Sequence, residues 1–119
     1  MTETSELADW VALGARLKEV REYLDLSQQV VAGRTGIARS AISDIERGQR
    51  KVDSLELRKL ARLYAYPVSY FLGEEASTSE TVTALARAVD DLSAEDRDEI
   101  IRFAQYLRYN ARATKRQDR

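Results

Sequence analysis

The chain has 119 residues, 44% of them apolar, and a formal net charge of −1, which is typical of one small globular domain with an appendage. It contains no cysteine and no histidine, so disulfides, thiolate or imidazole metal ligands, cysteine nucleophiles and histidine acid–base catalysis are excluded. No apolar run approaches the ~18 residues of a transmembrane helix, and the N-terminus has no signal-peptide pattern. We therefore expect a cytoplasmic protein without membrane contact.

The N-terminal region divides into an arm and a helix. Residues 1–8 are acidic, and we expect them to form a flexible arm. Apolar residues then recur at spacings of four, three and four: Leu13, Leu17, Val20 and Leu24. This pattern predicts an amphipathic first helix over residues 9–24.

Residues 26–50 predict two short helices joined by a tight glycine turn. Ser27 is a natural N-cap for the first of them, and Leu26 can pack on Val31 as a hydrophobic staple. Gly36 stands where this helix must stop and reverse, because glycine adopts a positive φ at little cost.

The second of these helices combines an apolar side with a polar one. Its apolar residues recur at spacings of four and three: Ala38, Ile42 and Ile45. Its polar residues project from the other sides: Arg39, Ser40, Ser43, Asp44 and Arg47. An ordinary helical hairpin with a solvated face has the same spacing, so periodicity alone leaves a binding role open.

The residue identities in this segment are more specific than its apolar periodicity. LSQQVVAGRTGIARSAISDIERGQR closely resembles the core of the lambda and Cro repressor family, also called the XRE family. The resemblance continues through SLELRKLARLYAYPVSYFLG and covers about residues 10–73. It implies a five-helix DNA-binding domain, bounded here at residues 9–73, whose third helix enters the major groove.

The fourth and fifth helices have clear local signals. Asp53 and Glu56 form a D-x-x-E capping box, and the only proline, Pro67, opens a short last helix that Gly73 closes. The predicted buried stripe of the fourth helix is Leu57, Leu60, Ala61 and Tyr64. The predicted inward residues of the fifth are Val68, Phe71 and Leu72.

After this domain the composition changes, and we expect a linker at residues 74–80 and a helical pair at residues 81–113. The apolar stripes of that pair are Val82, Leu85, Val89 and Leu92, then Ile100, Phe103 and Leu107 after a predicted N-cap at Ser93. Two such helices cannot bury both stripes alone, so they pack on their own domain or on another subunit. We favour dimerisation.

The basic tail, residues 114–119, is expected to fray into solvent, with a secondary DNA contact as the alternative.

The resemblance assigns base-reading positions to the recognition helix. Arg39 and Ser40 occupy its first exposed turn, where family members reach base edges, and Ser43 and Asp44 follow one turn later. Arg39 could bind guanine through two hydrogen bonds or could instead contact phosphate. Asp44 departs from the basic or amide residue usual there. It accepts a hydrogen bond from a cytosine amine, pairs with a neighbouring arginine, or points away, and we favour the first two.

Three further residues are predicted to contact the DNA backbone. Gln28 matches a phosphate-contacting glutamine of the family, and Arg50 and Lys51 follow the recognition helix in a loop beside a glycine. In addition, Arg21 and Glu46 stand at positions that form an ion pair between the first and third helices in the family. For them we expect a structural role.

Local charge supports a nucleic-acid partner despite the near-neutral total. Residues 34–62 carry eight Lys or Arg and four Asp or Glu, a net charge of +4. We expect that charge to lie at the DNA surface, where it would contribute a salt-dependent affinity.

Together these features predict an all-α protein: a five-helix lambda-repressor-like domain followed by a C-terminal helical pair. The expected function is that of a homodimeric transcriptional regulator, a bacterial or phage-encoded repressor that reads a palindromic operator. The alternative is an antitoxin, or a protease-controlled repressor, whose C-terminal helices bind a separate protein. No catalytic residue, metal site or cofactor is predicted, because the remaining carboxylates are explained as caps and charge pairs.

Overall fold

The computed structural model describes the backbone of residues 2–117 and the side chains of residues 5–111. The described residues form seven helices: α1 Thr2–Tyr23, α2 Gln28–Thr35, α3 Arg39–Glu46, α4 Ser54–Tyr64, α5 Val68–Phe71, α6 Thr78–Val89 and α7 Ala94–Gln117. They contain no strand, so the prediction of an all-α protein is confirmed over this part of the chain. The chain divides into two units, residues 1–87 and residues 88–119, which are described in turn.

Both ends of α2 have the geometry that the sequence predicts. The Ser27 hydroxyl accepts a hydrogen bond from the N–H of Val30 at 3.1 Å and so caps α2. Gly36 has a φ of 77° and donates its own N–H to the carbonyl of Ala32. That conformation is costly for residues with a Cβ, so a glycine is favoured at this position. It ends α2 and lets the chain change direction before α3 begins at Arg39.

A single apolar core holds α1 to α5 together. Its members are Leu13, Leu17, Val20, Val31, Ile37, Ile42, Ile45, Val52, Leu57, Leu60, Ala61, Tyr64 and Phe71. The crossing of α1 and α3 depends on Gly14, because a Cβ at that position would clash with the carbonyl oxygens of Ile45 and Glu46. The sequence pattern did not single out Gly14, since its importance comes from a helix that begins 25 residues further along the chain.

α4 and α5 complete the five-helix part of this unit. The capping box of α4 is present in full, with the Asp53 carboxylate accepting from the Glu56 N–H and the Glu56 carboxylate accepting from the Asp53 N–H. In α5, Phe71 is fully buried, but Leu72 is 50% exposed, so the prediction that Leu72 faces inward is wrong. Successive helical residues are about 100° apart, and Phe71 takes the inward position of this one-turn helix.

The predicted boundaries around this unit differ from the observed ones. α1 begins at Thr2, so no separate arm precedes a helix at residue 9. Residues 2–8 contain no proline or glycine that would interrupt a helix, so α1 extends to Thr2. The linker predicted at residues 74–80 ends at Ser77, whose hydroxyl accepts from the Glu80 N–H and caps α6. α6 is tied to the rest of the unit by the buried Ala84 and by a hydrogen bond from the Ser69 hydroxyl to Glu80.

The second unit consists mainly of α7. Ser93 caps this helix by accepting from the Asp96 N–H at 3.1 Å, and the Arg97 guanidinium donates to the carbonyls of Val89 and Asp90. Five of its large apolar side chains are more than half exposed: Ile101, Phe103, Tyr106, Leu107 and Tyr109. α7 remains helical through Gln117, past the boundary predicted at residue 113. Residues 118–119 of the predicted basic tail lie outside the described residues, as do all side chains from residue 112 onward.

Candidate nucleic-acid interface

α3 has the two-sided character of a recognition helix. Ile42 and Ile45 are each only 2% exposed and fix the helix to the core. The opposite side opens onto a groove of about 320 Å³ that is lined by Gln28, Arg39, Ser40, Ser43, Asp44 and Arg47. The four residues predicted to read bases, together with Gln28, are thus brought to one surface.

Within this groove the acidic residue is already paired. Arg47 donates to a carboxylate oxygen of Asp44 at 2.6 Å, across one turn of α3. This contact corresponds to one of the three alternatives for Asp44, pairing with a neighbouring arginine. Among the described residues Arg39 has no salt-bridge partner, so it is the cation of the groove with its charge uncompensated.

A buried polar network sits beneath the groove. The Arg21 guanidinium donates to both carboxylate oxygens of Glu46, at 2.7 and 2.9 Å, and to the carbonyl of Leu26 at 2.9 Å. The hydrogen bond to Glu46 raises the pKa of Arg21, against the opposing effect of burial. This network joins α1, α3 and the turn before α2, which is the structural geometry expected for Arg21 and Glu46.

Gln28 is part of the same network, which sequence reasoning missed. Its side-chain amide donates to Glu46 at 3.0 Å. A glutamine amide has two N–H donors and a carbonyl oxygen, so one donor and the oxygen are left for another ligand. The contact to Glu46 orients Gln28 at the start of α2, in the groove where a phosphate contact is predicted.

The two loop cations predicted to bind phosphate have different surroundings. Arg50 makes a two-pronged contact with the Glu56 carboxylate, at 3.1 and 3.0 Å. This contact lowers the pKa of Glu56 and raises that of Arg50, in each case against the effect of burial. Lys51 instead lies over the ring of Trp10, with its ammonium 6.0 Å from the ring centroid, and has no carboxylate partner among the described salt bridges.

Other cations of residues 34–62 lie on different surfaces. Arg34, Lys59 and Arg62 line a second groove, and Arg58 lines a third one together with Arg62. Neither groove includes a residue of α3. These four residues lie outside the α3 groove, so the net charge of +4 is spread over more than one surface, and its place at the DNA stays a prediction. A sum over a sequence window cannot distinguish the faces of α2 and α4.

Two further observations concern the described residues. No group of three or more of their carboxylates is placed to hold a metal ion. None of the helices that these residues form is both long enough and apolar enough to cross a membrane.

Comparisons with known proteins agree with this geometry. A family profile described as a helix-turn-helix domain matches residues 12–69. The chain is 32% identical over 90 residues to the HTH-type transcriptional regulator ImmR of Bacillus subtilis, which covers 75% of this chain and 71% of ImmR. It is 34% identical over 82 residues to the HTH-type transcriptional regulator PuuR of Escherichia coli, covering 69% of this chain and 43% of PuuR.

A solved structure is similar as well. The restriction-modification controller protein C.AhdI from Aeromonas hydrophila superposes with a TM-score of 0.52 at 38% sequence identity, covering 54% of this chain and 97% of the controller protein. The residues matched by the family profile include α2, α3 and the groove that α3 lines. The chain belongs to the lambda and Cro repressor-like (XRE) family of DNA-binding helix-turn-helix transcriptional regulators.

Proposed function

We propose that this protein is a homodimeric repressor that reads a palindromic operator through α3. The observation that supports this most strongly is the two-sided α3, whose apolar side is anchored in the core while Arg39 and its neighbours lie in an open groove. A repressor of this kind would occlude a promoter, and it would act in the cytoplasm, at the nucleoid, because its target is chromosomal or phage DNA.

Base reading is assigned to the exposed first turn of α3. Arg39 and Ser40 are both exposed, and the uncompensated guanidinium of Arg39 can bind the two acceptors of guanine. Ser43 and Asp44 would read one turn deeper. Because Arg47 neutralises Asp44, this carboxylate does not present a full negative charge to nearby phosphates.

The phosphate contacts are assigned to Gln28, Lys51 and Arg50, with unequal contributions. Gln28 offers its remaining amide N–H next to the N-terminus of α2, where helix N–H groups favour an anion. Lys51 has no carboxylate partner among the described salt bridges, so its ammonium can contact a phosphate without first breaking an ion pair. Arg50 must exchange Glu56 for a phosphate, so its net gain on binding is smaller than that of Lys51.

Dimerisation is assigned to the exposed apolar side chains of α6 and α7. Val82, Leu85, Phe103 and Leu107 are between 49% and 62% exposed, and Val89, Leu92 and Ile100 are partly buried. Exposed apolar side chains that cluster along a helix are typical of sites for protein association. A second copy is the partner we favour, because a palindromic operator needs two recognition helices about 34 Å apart.

The readout is tested by selecting bound sites from random DNA and then comparing Arg39→Ala on the selected site and on scrambled DNA. We expect a loss of about 1–3 kcal/mol on the selected site and a smaller loss on scrambled DNA. Arg34→Ala is the matched control, since Arg34 does not line the α3 groove. An equal loss on both DNAs would assign Arg39 to phosphate and move base reading to Ser40, Ser43 and Asp44.

The assembly is tested by sedimentation of Phe103→Lys and Gln105→Lys, two substitutions at exposed positions of α7. A charge at Phe103 should prevent dimerisation, whereas a charge at Gln105 should leave it intact. If the unmodified chain is monomeric at every concentration, the homodimer is ruled out. The exposed apolar side chains of α7 would then fit the second candidate, an antitoxin or protease-controlled repressor that binds a separate protein.

A further inference from the structure

The first unit contains a cavity of about 310 Å³ that has no lining residue in common with the α3 groove. Its walls come from α4, from the start of α5 and from α6. The apolar part of the lining is Ala61, Pro67, Val68 and Ala84, of which Ala61 and Ala84 are buried. Small-molecule sites commonly have volumes of ~300–1,000 Å³ and mostly apolar walls with a few polar groups, so both size and lining fit such a site.

The polar part of the lining is strongly basic. Arg58 and Arg62 lie one turn apart on α4, and Arg87 reaches the cavity from α6. None of the three takes part in a salt bridge among the described residues. The carboxylate that lines the cavity, Glu80, accepts a hydrogen bond from the buried Ser69 at 2.6 Å. Three cations thus face one anion around a single concavity.

The adjacent groove adds to this positive potential. Arg62 lines both concavities, and the second one also contains Arg34 and Lys59. Like charges one turn apart on a helix repel each other, so Arg58 and Arg62 disfavour the unliganded arrangement. An oxyanion would relieve that repulsion, and guanidinium groups bind carboxylates and phosphates through paired hydrogen bonds.

We propose that this cavity binds a small organic oxyanion, a carboxylate or a phosphate ester with an apolar body. The anionic group contacts the guanidinium groups of Arg58, Arg62 and Arg87, and the apolar body lies against Ala61 and Val68. Such a ligand bridges α4 and α6 and does not touch the α3 groove. It therefore stabilises the packing of α6 in this unit by mass action and leaves the DNA-reading surface free. The proposal is independent of whether the protein is a repressor.

The test is a titration of the full chain with phenyl phosphate, followed by backbone NMR at constant ionic strength. We expect saturable shifts within residues 58–68 and 79–87. Arg62→Gln and Arg87→Gln should each raise the dissociation constant by about tenfold or more. Arg39→Gln removes the same charge in the α3 groove and should leave this dissociation constant unchanged. Thermal melts without ligand verify that each variant is folded.

Further variants and probes separate the contributions of the guanidinium geometry, the type of anionic group and the apolar body to binding. Arg62→Lys keeps the charge but loses the paired geometry and should also weaken binding. Benzoate and phenyl phosphate distinguish a carboxylate from a phosphate ligand, and inorganic phosphate measures the anion without an apolar body. We expect inorganic phosphate to bind more weakly than phenyl phosphate, since it cannot use the apolar wall.

Three outcomes would overturn the proposal. The first is the absence of saturable binding for all three probes. The second is a set of shifts centred on α3, or equal weakening by Arg39→Gln, which would identify non-specific attraction to the basic surface. The third is displacement of bound phenyl phosphate by duplex DNA of unrelated sequence, which would assign these arginines to a DNA contact instead.

Discussion

The two units of this protein contain similar apolar residues, which are buried in the first unit and exposed in the second. In the first unit Leu17 is 1% exposed and Phe71 is fully buried, whereas in α7 Leu107 is 51% and Phe103 is 62% exposed. In proteins most helix stability comes from packing of an apolar face, and in the 24-residue α7 such a face is exposed. The comparison indicates that the first unit derives its stability from its own core, and we propose that the exposed apolar residues of α7 are covered by a second copy of the chain.

The charged residues repeat this contrast. Arg21 and Glu46 form a pair whose side chains are 11% and 2% exposed, and Gln28 adds a further hydrogen bond. Arg102 and Glu99 form a pair of the same chemistry on α7, with side chains 71% and 69% exposed. Removing one member of a buried pair leaves a charge without compensation, whereas water replaces the missing partner of an exposed pair.

The largest expected effect follows from this difference. Glu46→Ala should lower the free energy of unfolding by about 3–5 kcal/mol, because it leaves the Arg21 guanidinium buried without its carboxylate. Glu99→Ala is the matched control and should change it by no more than about 0.5 kcal/mol. Urea unfolding followed by circular dichroism measures both. Equal losses for the two variants would mean that the burial of the Arg21 pair has no energetic consequence.

The next effect concerns the apolar residues. Leu17→Ala should cost about 2–5 kcal/mol at every protein concentration, because it opens a cavity in the core. Leu107→Ala should cost stability only at concentrations where the chain associates, since binding to a partner adds to apparent stability by mass action. Thermal unfolding over a range of concentrations separates the two cases. A concentration-independent loss for Leu107→Ala would show that α7 is covered by its own chain.

The smallest effect concerns the acid limb of the stability curve. Hydrogen bonds from Arg50 lower the pKa of Glu56 below its ordinary value of 4.5. The folded chain therefore binds this proton less readily than the unfolded chain, and the stabilisation is complete above pH ~4.5 and is lost as pH falls through the lower folded value. Glu56→Gln should reduce the acid dependence by less than about 1 kcal/mol, because solvent screens a pair near the surface.

The control for that experiment is Glu99→Gln, which lies in an exposed pair on α7. Its stability curve at acid pH should coincide with that of the unmodified chain. Stability measured by urea unfolding between pH 3 and 7 gives the comparison. If Glu56→Gln leaves the acid limb unchanged, the contact between Arg50 and Glu56 is not maintained in solution, and Arg50 is available to phosphate without an exchange.

Much of the fold could be predicted because its signals are local. The caps at Ser27, Asp53 and Ser93 and the glycine turn at Gly36 each depend on residues within four positions of one another. The helical stripes depend on a repeat of 3.6 residues, which is independent of the rest of the chain. The family resemblance then supplied the arrangement of these helices.

The candidate site could be predicted in part. The residues of α3 share a groove because their spacing places them on one side of a helix. By contrast, the bond between Gln28 and Glu46 and the bond between Arg50 and Glu56 each join different elements. Their geometry depends on how the helices cross and on the path of a loop, which composition and spacing do not reveal.

The sequence by itself determined the helices, their caps and turns, and the polar character of the exposed side of α3, because short-range hydrogen bonds and apolar periodicity set these features. Only the tertiary structure decided which cations share a surface, which carboxylates neutralise them, and where glycine permits α1 and α3 to approach. The physical reason is that charge and steric contact depend on distance in space. Arg62 and Arg87 are 25 positions apart in the chain, yet they line one cavity.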